Sequence, residues 1–245
     1  MNVKKNRVLV RKWEKGGAKI VYLPVMAITV YLRHDLIETW SFPGMPRRRR
    51  TLTRETFQRR NTEEAAEEVP GGETIQRFGR LSKELGIYVS VTICEKSKRC
   101  HECGLDDTED PPEREWVFFN TICLMGPDGD LACHYRKTNL WPYVDRAWLT
   151  AGHGVATAMT PWGRVGLAVC YDAHVMLDRY AALGRGIWSL LYSVACVGST
   201  EEWFSRVLPP HVARCGFHVV AANWSVDGPS FDSTLGSGWE GAGGS

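Results

Sequence analysis

Thr160–Met176, TPWGRVGLAVCYDAHVM, places one cysteine where it could act as a nucleophile. A Pro-Trp-Gly turn leads into the apolar run Val165–Val169, of strand type, and the run breaks at Cys170. A helical pattern begins at once with Tyr171 and Asp172. A sulfur at a helix N-terminus meets unpaired backbone N–H groups and the positive end of the dipole, which favour thiolate over thiol. Asp172, in the first turn, suits the same dipole and would help start the helix. The alternative is a reduced core cysteine, since free Cys is among the most buried residue types. Sulfur alone does no hydrolysis. It needs a base for its proton, a cation or N–H pair for the oxyanion, and a way to protonate the leaving amine.

Other chemistry-bearing residues fit less well. Cys100-His101-Glu102-Cys103 has zinc-like spacing, but a four-ligand site usually needs a second pair, and Cys94 lies in a strand-like run. A surface loop with incidental cysteines is the expectation, and no metal. His134, His153 and His174 flank the Cys170 region without a cysteine-protease pattern. Arg47-Arg50 and the acidic run Glu63–Glu68 read as solvated faces. No interleaved aromatics or recognised motif accompany the arginines, so nucleic acid is not an expected partner.

The elements that must position Cys170 alternate between helix and strand. Asn2–Lys15 reads as an amphipathic helix with Val3, Val8, Leu9 and Trp13 as its apolar positions. Gly16-Gly17 ends it, and Ala18–Leu23 is a buried strand stopping at Pro24. Thr74–Leu85 is a second helix, closed by Gly86, and Ile87–Cys94 a strand ending at Glu95. Residues 96–115 read as an irregular insertion. Trp116–Leu124 and Leu131–Tyr135 form a hairpin around Pro127-Asp128-Gly129-Asp130. After Cys170 a helix runs to about Gly184. Ile187–Val194 is a strand, Glu201–Cys215 a helix despite Pro209-Pro210, and Phe217–Asn223 a strand. This pattern predicts one α/β domain over residues 1–245.

Composition agrees with a globular chain: 245 residues, 44% apolar, 24% charged, net charge +2. No apolar run approaches the ~20 residues that span a bilayer, and no secretory h-region is visible, which favours the cytosol and reduced cysteines. Ten tryptophans, with Trp40, Trp141 and Trp148 in Trp-rich loops, suggest an aromatic-lined pocket or, equally, core packing.

With these motifs in place, the chain resembles the nitrilase superfamily of carbon–nitrogen hydrolases. Gly17-Ala18 with Ile20–Pro24 looks like the strand leading to the family's catalytic Glu. Pro127-Asp128-Gly129 with Tyr135-Arg136-Lys137 looks like the hairpin bearing its Lys, and GLAVCYD like its nucleophile elbow. The resemblance implies an α-β-β-α sandwich of two sheets between helix layers, with homodimers common, and no metal or organic cofactor. It also implies a small amide, ureido or nitrile substrate. Cys170 would attack the substrate carbon to form a thioester. Lys137 and the backbone N–H of Tyr171 would stabilise the oxyanion, and Asp145 would be an auxiliary acid. Val25 stands where the family carries its general base. Valine cannot move a proton, so a catalytically impaired relative that binds a ligand or a protein is the alternative reading. Without a carboxylate at 25, Lys137 is expected to lack a counter-charge, and Glu95 or Asp145 are the conceivable substitutes. The resemblance further implies missing strands at both ends of the chain.

Overall fold

Periodic apolar positions account for most of the elements in the computed structural model. It describes residues 3–25, 65–98, 116–142, 145–147, 149–175, 177–182, 186–194, 205–206 and 208–223. Helix α1 (Val3–Lys15) buries Val10, while Val8 is 67% exposed, contrary to the expected apolar face. Two residues apart on a helix are about 200° apart, so only one of the two can face inward. Helix α2 (Glu73–Leu85) turns Ile75, Phe78 and Leu81 inward. The Glu67 carboxylate caps it, accepting the N–H (2.7 Å) and hydroxyl (2.5 Å) of Thr74. Gly86, left-handed at φ 63°, closes it. Gly79 lets α2 approach the β3–β4 turn, where a Cβ would come within 2.6 Å of the Gly129 carbonyl.

Two four-stranded sheets follow. The first has the order β1 (Ile20–Val21), β2 (Tyr88–Lys98), β3 (Trp116–Met125), β4 (Leu131–Arg136). The second has the order β5 (Thr157–Thr160), β6 (Gly163–Val169), β7 (Ile187–Ser193), β8 (His218–Ala222). Strands β6, β7 and β8 are mutually parallel, so their carboxyl ends lie on one edge. One apolar cluster joins α1 and α2 to the outer face of the first sheet through Val89, Val91, Ile93, Cys123 and Met125. The other fills the space between the sheets with Tyr22, Cys94, Ile122, Tyr135, Leu167 and Leu191, and continues to α3 (Leu177–Ala182) and α4 (Leu208–Cys215). On the outer side of the second sheet Tyr180 lies so close to Gly166 that a Cβ there would meet its ring at 2.7 Å. Hydrogen bonds cross between the sheets: Tyr22 donates to the Leu191 carbonyl (2.6 Å), and Ser193 Oγ to the Leu23 carbonyl (2.7 Å). This is the α-β-β-α arrangement that the resemblance implied.

Several expected boundaries shift. Strand β2 does not end at Glu95 but pairs with β3 as far as Lys98. Its ladder continues because β3 starts at Trp116 and reaches back along it, so the expected insertion gives its first three residues to the strand. Strand β1 is two residues long, with Leu23 and Pro24 held instead by side-chain bonds from Ser193, Ser90 and Thr92. Helix α4 begins at Leu208 with Pro209 and Pro210 in its first turn, where their missing N–H groups cost little. The run Arg47–Arg50, the Cys100–Cys103 pair, Trp40, Trp148 and residues 224–245 lie outside the described residues.

Candidate active site

Strand β6 ends at Val169, and the chain turns sharply through Cys170. Cys170 has φ 43° and is the one described non-glycine residue with positive φ. Such a conformation costs of order 1–3 kcal/mol and persists only when its surroundings over-determine it. Two bonds do so. Tyr192 donates to the Cys170 carbonyl (2.7 Å), and the Val169 N–H donates to the Asp172 carboxylate (2.9 Å). The expected long helix from Tyr171 is replaced by a five-residue 3₁₀ turn, Cys170–His174, with α3 starting only at Leu177. Asp172 turns back to accept the Val169 N–H, the capping contact of this short turn, as expected of a residue that starts it. So short a turn has no extended dipole, so any strong polarisation of the sulfur must come from side chains.

One such source is Lys137, the residue after β4. It is fully buried, its N–H donates to the Asn120 carbonyl (2.8 Å), and its carbonyl accepts from Gly152 (2.8 Å). Its ammonium donates to Asp145 Oδ2 at 2.5 Å, and Asp145 is equally buried. Asp145 also accepts from the Trp141 N–H (2.9 Å), which fixes the carboxylate in its short 3₁₀ turn, Asp145–Ala147. Lys137 therefore has a counter-charge, contrary to expectation, and Asp145 supplies it. Burial alone would push the lysine pKa down. The negative charges of Asp145, Cys170 and Asp172 outweigh it and hold the ammonium above its ordinary value. That charge coupling also puts Cys170 within the lysine's field.

Val25 is fully buried in the inter-sheet cluster against which Cys170 packs. The backbone before it is pinned: Thr92 Oγ1 donates to the Pro24 carbonyl (2.6 Å), and the Leu23 N–H to Ser90 Oγ (3.2 Å). Glu95 does not enter this space. Its carboxylate lies on the other face of the first sheet and accepts from Thr121 (2.6 Å) and Arg136 (2.5 and 3.1 Å). His134 Nε2 stands 2.8 Å from it. Burial raises the Glu95 pKa, but those partners overcome it and bring the carboxyl down to about 2. His134 thus belongs to the outer cluster, while His174 stacks beside Tyr171 with ring centroids 5.0 Å apart. His153 is exposed. Among the described residues no group of three or more His, Cys, Asp or Glu could hold a metal ion.

Sequence reasoning did not single out Tyr135, Asn139 or Tyr192, and it gave Asp172 only a local part. Their contacts join positions 22 to 37 residues apart, for which short-range pattern carries no signal.

Together these features define a two-sheet α/β scaffold with a cysteine on a strand-end elbow and a buried lysine–aspartate pair in its electrostatic neighbourhood. The chain belongs to the carbon–nitrogen hydrolase family, whose sequence profile matches residues 2–223. It is 32% identical over 138 residues to the omega-amidase NIT2 of Homo sapiens, covering 53% of this chain and 44% of that protein. It is 24% identical over 170 residues to an N-carbamoylputrescine amidase of Solanum lycopersicum, covering 64% and 51% respectively. The chain spans about half the length of the curated relatives it matches. An amidase from Nesterenkonia sp. shares the fold with a TM-score of 0.64 at 15% identity, over 98% of this chain and 73% of that one. No helix among the described residues is long and apolar enough to cross a membrane.

Proposed function

We propose that this chain is an amidase-type carbon–nitrogen hydrolase scaffold that forms a thioester at Cys170 and turns it over slowly. The observation that carries the reading is the strained Cys170 elbow within the field of the buried Lys137–Asp145 pair. Cys170 attacks the carbonyl carbon of an amide or ureido group and the C–N bond breaks. The amine or ammonia leaves with the thiol's proton relayed through water, and a second water hydrolyses the thioester. A nitrile first gives a thioimidate, which takes up water and releases ammonia to reach the same thioester. The Lys137 ammonium and the Tyr171 N–H take the developing negative charge on oxygen or nitrogen. Asp145 keeps Lys137 protonated and oriented.

The slow turnover follows from Val25. General acid–base assistance is worth about 10²–10⁴-fold, and a valine supplies none. Glu95 is held on the opposite sheet face, and Asp145 is engaged with Lys137 and the Trp141 N–H, so neither is placed to take over. The second reading, a relative that binds an amide-like ligand or a protein without hydrolysing it, is favoured by the same buried valine. The proposal includes a homodimer working in the cytosol.

The test is a screen of amides, nitriles and ureido acids, with ammonia or amine release measured alongside intact mass. Fluoroacetamide belongs in the panel, because variants of the Nesterenkonia amidase carry its acetamide moiety covalently at the active-site cysteine. The expected result is an adduct at Cys170, absent from Cys170→Ala, with little product released. Adduct without any release supports the binding-only reading, and no adduct with any compound removes the hydrolase reading.

A further inference from the structure

Asp172 receives more hydrogen bonds than a residue that merely starts a helix would need, and their donors lie in a pattern around the two groups that matter. Oδ1 accepts from the Asn139 backbone N–H (2.8 Å) and its side-chain amide (3.0 Å). Oδ2 accepts from the Tyr135 hydroxyl (2.7 Å) and the Val169 N–H (2.9 Å). Tyr135 and Asn139 stand two residues before and two after Lys137. Val169 and Asp172 bracket Cys170. Lys137 follows a strand of the first sheet and Cys170 a strand of the second, so the carboxylate joins the two sheets at the point where ammonium and sulfur must meet. Asp172 is fully buried, so these bonds face no competition from solvent.

We propose that Asp172 is a positioning residue: its carboxylate fastens the Lys137 segment to the Cys170 elbow and thereby sets the separation of ammonium and sulfur. The inference rests on the proposed roles of Cys170 and Lys137. Tyr192 holds the Cys170 carbonyl from β7, and Asp145 holds the ammonium from the turn after β4. Asp172 holds both segments at once. Its charge acts in the same direction as its geometry, because it lies close enough to Lys137 to favour the ammonium.

The discriminating experiment is a double-mutant cycle read by the rate at which iodoacetamide alkylates Cys170 in the full chain, followed by peptide mass. Asp172→Asn keeps the size of the side chain but turns an N–H₂ toward groups that are themselves donors, so the fastening fails. Lys137→Gln removes the ammonium while its amide still hydrogen-bonds Asp145. Each single variant is expected to slow alkylation about tenfold, the size of a typical coupling between contacting residues. The double variant is expected to be no slower than Lys137→Gln alone, because a mispositioned cation and a missing one are equivalent to the sulfur.

Independent effects that multiply to about a hundredfold would overturn the proposal. So would a wild-type alkylation rate in Asp172→Asn accompanied by a lower thermal midpoint, which would assign the carboxylate to the fold alone. If Asp172→Asn does not fold, Tyr135→Phe removes one donor and leaves the carboxylate otherwise bound. It is expected to slow alkylation in the same direction, and an unchanged rate would sink the idea. The cycle needs no turnover, so its failure is separable from that of the hydrolase reading, which the amide screen decides. A silent Lys137→Gln with a slow Asp172→Asn would reject the positioning role and the lysine's proposed part together.

Discussion

The two faces of the first sheet both carry buried charges, and they are organised oppositely. On the outer face Glu95 is surrounded by Thr121, His134 and Arg136, with the Arg136 guanidinium 4.0 Å from the Phe119 ring centroid. The Glu95 carboxylate there accepts from Thr121 and Arg136 with His134 beside it. On the inner face Lys137 is paired with the Asp145 carboxylate near a cysteine held at positive φ, and Val25 lies in the apolar cluster against which that cysteine packs. Successive residues of a strand point to opposite faces, so Arg136 and Lys137 part company although they are neighbours in sequence. Glu95 is an acid at the right level of the sheet and on the wrong side of it. The same alternation puts the two clusters on opposite faces of one sheet.

The greatest change is expected at Val25. Val25→Glu restores a carboxylate to the inner face and is expected to raise amide hydrolysis by about 100-fold or more, measured as ammonia release under single-turnover conditions. A wild type that already hydrolyses at a rate the substitution does not raise would refute the impaired reading. Next comes the lysine. Lys137→Met leaves Asp145 buried and without its cation, and should cost about 3–5 kcal/mol in urea unfolding. Lys137→Met combined with Asp145→Asn should recover much of that loss. If the double variant is as unstable as the single, the pair is not the source of the cost.

On the outer face the expected signature is pH. The Glu95 pKa is depressed from 4.5 to about 2 in the folded chain. The unfolded state therefore binds the proton first as pH falls. The stabilisation from Glu95 is complete above about 4.5 and is lost as pH drops toward 2, amounting to about 3 kcal/mol. Glu95→Gln should flatten that part of the acid limb and leave Cys170 alkylation unchanged. An altered alkylation rate would contradict the separation of the faces. The smallest effect is Thr121→Val, which removes one hydroxyl donor to the same carboxylate. It should cost about 1–2 kcal/mol by thermal unfolding, again with no change at the cysteine.

Much of this was legible in the chain because it depends on local pattern. The α2 helix, with Ile75, Phe78 and Leu81 on one face and Gly86 at its end, follows from helical spacing and a left-handed stop. The β3–β4 hairpin follows from two apolar runs about a Gly turn. The placement of Cys170 at the end of β6 follows from the break in an apolar run. Boundaries set by partners were not legible. Strand β2 extends to Lys98 because β3 lies alongside it, and the turn after Cys170 stays short because Asp172 bonds backward to Val169.

The sequence by itself determined the order of helices and strands, the cysteine at a strand end, and the absence of a carboxylate at position 25. Only the tertiary structure decided where the charged groups of the site lie. It gave Lys137 its partner in Asp145, sent Glu95 to the far face, and made Asp172 the link between two sheets. The physical reason is that hydrogen bonds and ion pairs act over about 3 Å, whereas these partners come together only when separate sheet elements pack. Composition and periodicity report which face of an element is apolar. They do not report which distant polar atom will be waiting there.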